Sequence, residues 1–180
     1  MQINLSEYHT LVFDFDGVFT DNSLYLDENG LESVKFSRGD GYAINILRRI
    51  IELRNYNLDY FVLSTETSQI VAKRCQKLKI KYFCGVQDKN VFLTDYFNER
   101  SHLETFSGLI YIGNDLNDLT VLRKAALSLC PSDAHSEIRK ASTYCLSRVG
   151  GDSFVREAIE FIIDLKSLSK EELDELVSDR

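Results

Sequence analysis

Short apolar segments alternate with longer amphipathic segments along the chain, and this alternation limits the possible fold more than any other feature. The apolar runs are TLVFDF, YFVLST, KYFCG, GLIYIGN and LSLC, and the segments between them, such as GYAINILRRIIEL, have helical spacing. Short strands that alternate with helices favour a parallel sheet, since parallel strands need crossover connections. The sequence therefore predicts an α/β fold with a doubly wound parallel sheet.

One stretch, residues 23–36, breaks this alternation. Its β-rich arms flank Asp27-Glu28-Asn29-Gly30, which is typical of a hairpin turn, so we expect an inserted β-hairpin flap. Residues 1–168 are predicted to form a single domain. Residues 169–180 are interpreted as a short acidic C-terminal tail, in which Ser169 and Glu172 form a potential capping box for a short helix.

Composition argues against several classes of protein. The net charge of -7 disfavours binding to nucleic acid or to an anionic membrane, and no apolar run is long enough to cross a bilayer. The four cysteines are far apart and contain no CxxC pair, which indicates core thiols in a reducing compartment. We therefore expect a cytoplasmic protein without nucleic-acid or membrane partners.

The candidate functional residues are those at the strand ends, because sites in doubly wound sheets lie at the carboxyl ends of the strands. In chain order these residues are Asp14 and Asp16, Ser64 and Thr65, Lys89, and finally Asp115 and Asp118 within GNDLND.

Asp14 and Asp16 are the most informative pair. Residues i and i+2 of a strand point to the same side, so the two carboxylates project together where the chain turns at Gly17. Their repulsion predicts that the site holds a cation or uses one acid as a proton carrier. A solvated turn with two acids remains open for this pair taken alone.

The complete set fits phosphoryl transfer to a carboxylate. A phosphate dianion approaches an aspartate only if its charge is offset, and Mg²⁺ held by carboxylates together with a lysine would do this. Taken alone, each of these signals also has a purely structural explanation: Ser64 as a cap, Lys89 as a solvated helix residue and GNDLND as a turn. Their occurrence at successive strand ends favours the catalytic interpretation.

These motifs resemble those of the haloacid dehalogenase superfamily of phosphohydrolases. DFDGVFTD matches the first motif, LST the second, Lys89 the third and GNDLND the fourth. The resemblance implies that Asp14 is the nucleophile and that Asp16 is the general acid and base. It also implies that Mg²⁺ is held by Asp14, by the backbone carbonyl of Asp16 and by Asp115.

The remaining motif residues take supporting roles by the same resemblance. Ser64, with Thr65, would bind the phosphoryl group and Lys89 would neutralise it. Asp118 would orient Lys89 or a metal-bound water, and Asn114 is a further supporting residue.

Within the superfamily the chain looks like the small, capless branch of 3-deoxy-manno-octulosonate (KDO) 8-phosphate phosphatases and nonulosonate 9-phosphate phosphatases. The branch features are DGVFTD followed by YLDENGLESVKF, then DGYAI, PSDAH and GGDSFVRE. This resemblance implies a HAD-like Rossmannoid fold with a flap and no cap domain. It also implies a homotetramer in which a neighbouring subunit covers the pocket.

The second motif bears on the substrate. Octulosonate phosphatases typically read TGR there, whereas this chain has Ser64-Thr65-Glu66, which resembles the nonulosonate phosphatases, and Lys77 on the following helix would supply their lysine. We therefore expect a sugar-acid phosphate substrate, with a nonulosonate 9-phosphate first and KDO 8-phosphate as the alternative. Arg38 and Arg156 are candidates for carboxylate binding and for subunit contacts, respectively.

Two other classes of function remain as alternatives. Phospho-accepting signalling domains also combine acids, a hydroxyl and a lysine around Mg²⁺, but their acceptor lies on the third strand. An inactive phosphatase-like scaffold that holds an oligomer together is the other alternative, and the retention of every motif residue argues against it.

Overall fold

A parallel sheet forms the centre of the computed structural model, which describes residues 3–100 and 105–178. The strands of this part of the chain are β1 (Thr10–Phe13), β2 (Tyr25–Leu26), β3 (Glu32–Ser33), β4 (Asp59–Leu63), β5 (Lys81–Phe83), β6 (Leu109–Ile112), β7 (Leu127–Cys130) and β8 (Tyr144–Cys145). Six of them form one sheet in the order β5-β4-β1-β6-β7-β8, in which every pair is parallel. The predicted α/β fold is confirmed.

Helices cover both faces of the sheet. In the described residues they are α1 (Arg38–Arg54), α2 (Gln69–Leu78), α3 (Lys89–Asn98), α4 (Leu119–Lys124), α5 (Ser136–Ala141), α6 (Phe154–Ile162) and α7 (Lys170–Val177). Alternate residues of β1 divide between two cores: Leu11 and Phe13 pack with α1, α2, α6 and α7, and Val12 packs with α3, α4 and α5. Burial on both faces explains why the strands are apolar throughout.

The order of the strands locates the functional edge of the sheet. From β1 the chain proceeds through β4 to β5 on one side, then returns to β6 on the other side of β1 and continues to β7 and β8. The direction of winding therefore reverses between β1 and β6, and ligands of open α/β sheets bind outside the strand ends at such a point. Asp14 follows β1 there, and its N–H donates to the carbonyl of Ile112 at 2.8 Å.

The predicted flap is an antiparallel hairpin. β2 pairs with β3 over two residues on each strand, and the Asp27 carboxylate stabilises the turn by accepting the N–H groups of Asn29 and Leu31. Both strands are exposed, including the apolar side chains Tyr25 and Leu26.

The C-terminal segment contains the helix that the capping box predicts. Ser169 and Glu172 cap α7 reciprocally, and Leu176 of this helix is buried in the core. Arg49 of α1 donates to the Leu176 carbonyl at 2.7 Å, so α7 packs on α1, while residues 179–180 lie outside the described residues. Among the described helices, none is both long enough and apolar enough to span a membrane.

Candidate active site

A cavity of about 500 Å³ opens at the carboxyl ends of β1, β4 and β6, beside the flap. Its size suits a small-molecule ligand. The residues that line it come from the loops after these strands, from the flap and from the first turn of α2, and they include Asp14, Asp16, Ser64, Thr65, Glu66, Asn114 and Asp115. The structure therefore brings most of the sequence-predicted site residues to one place.

The loop after β1 holds its two acids by a tight turn. Gly17 has a φ of +76°, and a Cβ there would lie 1.9 Å from the Asn114 side chain, so both the backbone conformation and the close approach require glycine. The buried Thr20 hydroxyl donates to Asp16 Oδ1 at 3.2 Å and accepts the N–H of Gly17 at 3.1 Å. Thr20 thus fixes the Asp16 carboxylate, a role that the sequence analysis did not assign.

A buried lysine lies between two aspartates behind the cavity. Lys89 Nζ contacts Asp14 Oδ1 at 2.6 Å and Asp118 Oδ1 at 2.7 Å, and both Lys89 and Asp118 are almost completely buried. Lys89 is the first residue of α3, whose N-cap Asp88 accepts the N–H of Val91. The start of α3 therefore places the lysine against Asp14.

Four donors surround the Asp118 carboxylate. Oδ1 accepts from Lys89 and from the Tyr111 hydroxyl, the latter at 2.6 Å, and Oδ2 accepts the N–H groups of Asn114 at 2.9 Å and of Asp115 at 3.3 Å. A carboxylate with its oxygens occupied in this way cannot swing toward a ligand, so Asp118 holds Lys89 and the GNDLND loop in place. Tyr111 is a second residue that the sequence analysis missed.

Burial dominates the electrostatics of the acids. It raises the pKa of the Asp14 carboxyl to about 8, with Asp118 adding to the rise and Lys89 opposing it. Burial also raises the pKa of Asp16, and the hydrogen bond from Thr20 opposes that rise. Lys89 opposes the effect of burial on Asp14 through its charge and its hydrogen bond, so this contact favours the ionised carboxylate.

Asn114 is the residue of GNDLND that meets the two acids. Its amide lies against the Asp16 carbonyl oxygen and Asp14 Oδ2, and in the amide orientation that satisfies both acceptors the NH₂ group donates to them at 2.8 Å and 3.2 Å, respectively. Asp115 is instead exposed at the rim, where its carboxylate accepts the N–H of Leu116 at 2.7 Å. Among the described residues no three His, Cys, Asp or Glu side chains are grouped as a metal site. The expected ligand set includes only two carboxylates, those of Asp14 and Asp115, together with the backbone carbonyl of Asp16, so it stays a prediction.

The second motif forms another wall of the cavity. The buried Ser64 hydroxyl accepts the N–H of Glu66 at 3.0 Å, and Thr65 lies between them on the cavity surface. The Glu66 carboxylate accepts the N–H groups of Thr67 and Ser68 at 2.7 Å and 2.9 Å. Glu66 is thus held at the cavity rim before α2 begins.

Three predicted specificity residues lie elsewhere. Lys77 is exposed in the last turn of α2, whereas the first turn of that helix lines the cavity. Arg38 is exposed at the start of α1, and Arg156 pairs with Glu160 on α6 at 2.7 Å. Among the described residues, the cavity lining includes several acids, Glu32 of the flap among them, but no lysine or arginine.

The comparisons with known proteins agree with this architecture, although no family model matches the chain. A HAD family hydrolase from Streptomyces avermitilis superposes with a TM-score of 0.83 at 32% identity, over 96% of this chain and 95% of that one. The 3-deoxy-D-manno-octulosonate 8-phosphate phosphatase KdsC of Salmonella typhi is 29% identical over 166 residues, which cover 92% of this chain and 82% of the relative.

A third similar protein was solved with ligands. It is the 3-deoxy-D-manno-octulosonate 8-phosphate phosphatase of Moraxella catarrhalis in complex with magnesium, phosphate and KDO, and it superposes with a TM-score of 0.79 at 25% identity over 89% of this chain and 88% of that one. The chain is therefore a phosphatase of the haloacid dehalogenase superfamily, and it is similar in sequence and structure to KDO 8-phosphate phosphatases.

Proposed function

We propose that this protein is a Mg²⁺-dependent phosphomonoesterase that hydrolyses a sugar-acid phosphate through an aspartyl-phosphate at Asp14. The observation that carries the proposal is the contact of Asp14 with the buried Lys89, at the edge of a cavity where Asp16 stands beside it. This arrangement supplies a nucleophile, its counter-charge and a proton carrier within one site.

Oxygen donors of the right kind for Mg²⁺ converge at Asp14. The Asp14 Oδ2 and Asp16 carbonyl oxygens lie 3.2 Å and 2.8 Å from the Asn114 amide, and a half-turn of that amide presents its oxygen instead of its nitrogen. Neighbouring ligands of octahedral Mg²⁺ are separated by about 3 Å, so the three groups fit this ion. We therefore assign the third protein ligand to Asn114 in place of Asp115.

The protein residues divide the first half of the reaction between them. An Asp14 carboxylate oxygen attacks phosphorus while Asp16 donates its proton to the departing sugar oxygen, which leaves as an alcohol. Burial raises the pKa of Asp16 and so favours the protonated form that this step requires. When bound, Mg²⁺ would neutralise charge on the phosphoryl oxygens and on the carboxylate, while Lys89 keeps Asp14 ionised and Asp118 keeps Lys89 in position.

The second half returns the enzyme to its starting state. Asp16, now ionised, takes a proton from a water that attacks the phosphorus of the aspartyl-phosphate, and the bond to Asp14 breaks to release phosphate. Ser64 and Thr65 would hold the phosphoryl oxygens during both halves, because both residues line the same cavity as Asp14.

The second motif supports a nonulosonate 9-phosphate as the sugar acid. Glu66 stands at the cavity where octulosonate phosphatases typically have arginine, and its carboxylate is fixed by two backbone donors. A fixed carboxylate repels a substrate carboxylate and favours hydroxyl groups, of which a nine-carbon sugar has more. The second candidate is KDO 8-phosphate, which the names of the relatives from Salmonella typhi and Moraxella catarrhalis favour.

We also propose that the protein assembles as a homotetramer. Leu24, Tyr25, Leu26 and Leu31 of the flap expose between 54% and 67% of their surface, which suits burial against other copies of the chain. A neighbouring subunit would also supply the bases that this subunit's cavity lining lacks. Native mass spectrometry tests the assembly, and a monomer with full activity would contradict it.

A substrate panel tests the function. Phosphate release from KDO 8-phosphate, from nonulosonate 9-phosphates and from hexose phosphates would be compared by kcat/KM, with Mg²⁺ and with EDTA. We expect Mg²⁺-dependent hydrolysis with the highest kcat/KM for a nonulosonate 9-phosphate. A preference for KDO 8-phosphate would support the second candidate, and equal values for all sugars would contradict both.

A further inference from the structure

One arm of the flap forms a wall of the cavity and continues toward the catalytic loop. Glu32 and Val34 line the cavity, and two residues further on Phe36 meets Phe15 edge-on, with 5.6 Å between ring centroids. Phe15 lies between the two catalytic aspartates and also lines the cavity. The position of this arm therefore affects both the substrate wall and the catalytic loop.

The hairpin itself provides little to hold that arm in place. Its two strands pair over only two residues each, and both are exposed. Lys35 also pairs with Asp21 at 3.2 Å, but the lysine is exposed and the aspartate only half-buried, and such surface pairs contribute little. The contacts that hold the arm in place are therefore expected at its base, at Phe36 and Ser37.

Arg74 of α2 provides such contacts, in addition to the hydrogen bond of 2.9 Å between the Ser37 and Ser153 hydroxyls. Its guanidinium donates to the Ser37 carbonyl at 3.0 Å, and its Cζ lies 4.9 Å from the centre of the Phe36 ring. The two contacts use properties specific to arginine, a planar cation that stacks on an aromatic ring while it donates in its own plane. Burial lowers the pKa of Arg74 and the buried Asp40 carboxylate opposes this, so the guanidinium is partly desolvated beside a counter-charge.

The preceding turn of α2 connects Arg74 to the cavity. Val71 lines the cavity one turn before Arg74 and on the same face of α2. The contacts of Arg74 thus join two walls of the cavity, the flap and the start of α2, at a point outside the cavity itself.

We propose that Arg74 is a positioning residue for substrate specificity, which holds the flap arm in the place where Glu32 and Val34 contact the sugar. The inference rests on the proposed function, because the flap matters only for a substrate larger than its phosphate group. Arg74 itself does not touch the reacting atoms. Its loss is expected to affect the sugar more than the phosphoryl chemistry.

The test compares Arg74→Met, which keeps the length of the side chain, with Lys73→Met as a matched control on the same helix. Lys73 is exposed and outside the cavity lining. For the preferred sugar-acid phosphate we expect Arg74→Met to raise KM about tenfold, because a hydrogen bond from a charged group is lost. For p-nitrophenyl phosphate we expect kcat and KM within about twofold of the wild type, and Lys73→Met should match the wild type for both substrates.

A second readout does not depend on any substrate. Trypsin is expected to cleave after Lys35, whose side chain is exposed in the structure and whose neighbour Phe36 is held by Arg74. The proposed tetramer would cover the flap in the variant and in the wild type alike, so the two are compared at the same oligomeric state. Arg74→Met is expected to accelerate this cleavage about tenfold, as measured by mass spectrometry of the products, because local opening becomes easier. If Arg74→Met fails to fold, Arg74→Lys replaces it and should give smaller changes in the same direction.

The outcomes separate the two proposals. An equal loss of activity toward both substrates, or cleavage after Lys35 at the wild-type rate, would overturn the role of Arg74. Faster cleavage with an unchanged KM would also overturn it, because the flap would then not contact the sugar. A wild-type enzyme that shows no preference among phosphate esters would instead refute the proposed substrate, whereas the cleavage rates would still report on the attachment of the flap.

Discussion

Replacement of Tyr111 by phenylalanine removes one hydrogen bond from the buried Asp118 carboxylate and leaves the shape of the core unchanged. The Tyr111 hydroxyl donates to Asp118 Oδ1 at 2.6 Å, and both side chains are fully buried. A hydrogen bond to a charged group contributes about 1.5–3 kcal/mol to stability. For a protein of this size each kcal/mol corresponds to roughly 2–4 °C in Tm, so the variant is expected to lose roughly 3–12 °C.

The same substitution should have only a modest effect on kcat. In the variant Asp118 keeps Lys89 and the two backbone N–H groups of the GNDLND loop as donors. Below its Tm, Tyr111→Phe is therefore expected to keep kcat within about tenfold of the wild type. Differential scanning calorimetry and steady-state kinetics provide the two measurements, with Tyr60→Phe, a half-buried tyrosine outside the site, as the control.

The comparison with the control decides the result. A Tm for Tyr111→Phe that matches the wild type, or a shift no larger than that of Tyr60→Phe, would refute the reasoning. In that case the Tyr111 hydroxyl would not stabilise the buried carboxylate, and the position of Asp118 would depend on Lys89 and the backbone alone.

Three further substitutions test the site. Asp14→Asn should abolish Mg²⁺-dependent phosphate release with an unchanged circular dichroism spectrum, since it removes the nucleophile with little change in shape; normal hydrolysis of p-nitrophenyl phosphate would contradict the mechanism. Asn114→Ala should raise the Mg²⁺ concentration for half-maximal activity about tenfold and Asp115→Asn less than about threefold, and the reverse order in a Mg²⁺ titration would return the ligand role to Asp115. Thr20→Val should lower kcat about tenfold because Asp16 loses its fixed orientation, and an unchanged kcat would show that Thr20 only stabilises the turn.

The sequence predicted the fold and the location of the site for the same physical reason. Parallel strands buried on both faces are apolar throughout, so polar residues at their ends stand out, and the topology gathers these ends at one edge. Asp14, Ser64 and Lys89 were found in this way, and the structure brings them together with Asp118.

The details that the sequence did not predict depend on the direction of individual side chains. Asn114 and Asp115 are adjacent and both follow β6, yet only the structure shows that Asn114 meets Asp14 while Asp115 turns to the Leu116 amide. Tyr111 has the appearance of an ordinary core residue because its hydroxyl partner lies seven positions away.

Distance along α2 explains why Lys77, a predicted specificity residue, does not line the cavity. Lys77 follows the second motif, but it lies six residues after Val71, which lines the cavity, and a helix advances about 1.5 Å per residue. Lys77 therefore lies about 9 Å further from the cavity along the axis of α2. The sequence shows that Lys77 is on this helix, but its distance from the cavity is known only from the structure.

Chemical trapping of the intermediate tests the central claim most directly. During turnover of the preferred substrate the enzyme would be quenched in acid and treated with borohydride, which reduces an aspartyl-phosphate to homoserine, and the peptide with position 14 would be sequenced by mass spectrometry. We expect homoserine at position 14 in the wild type and none in Asp14→Asn. Rapid turnover with no homoserine at position 14, or with homoserine at another aspartate, would contradict the account.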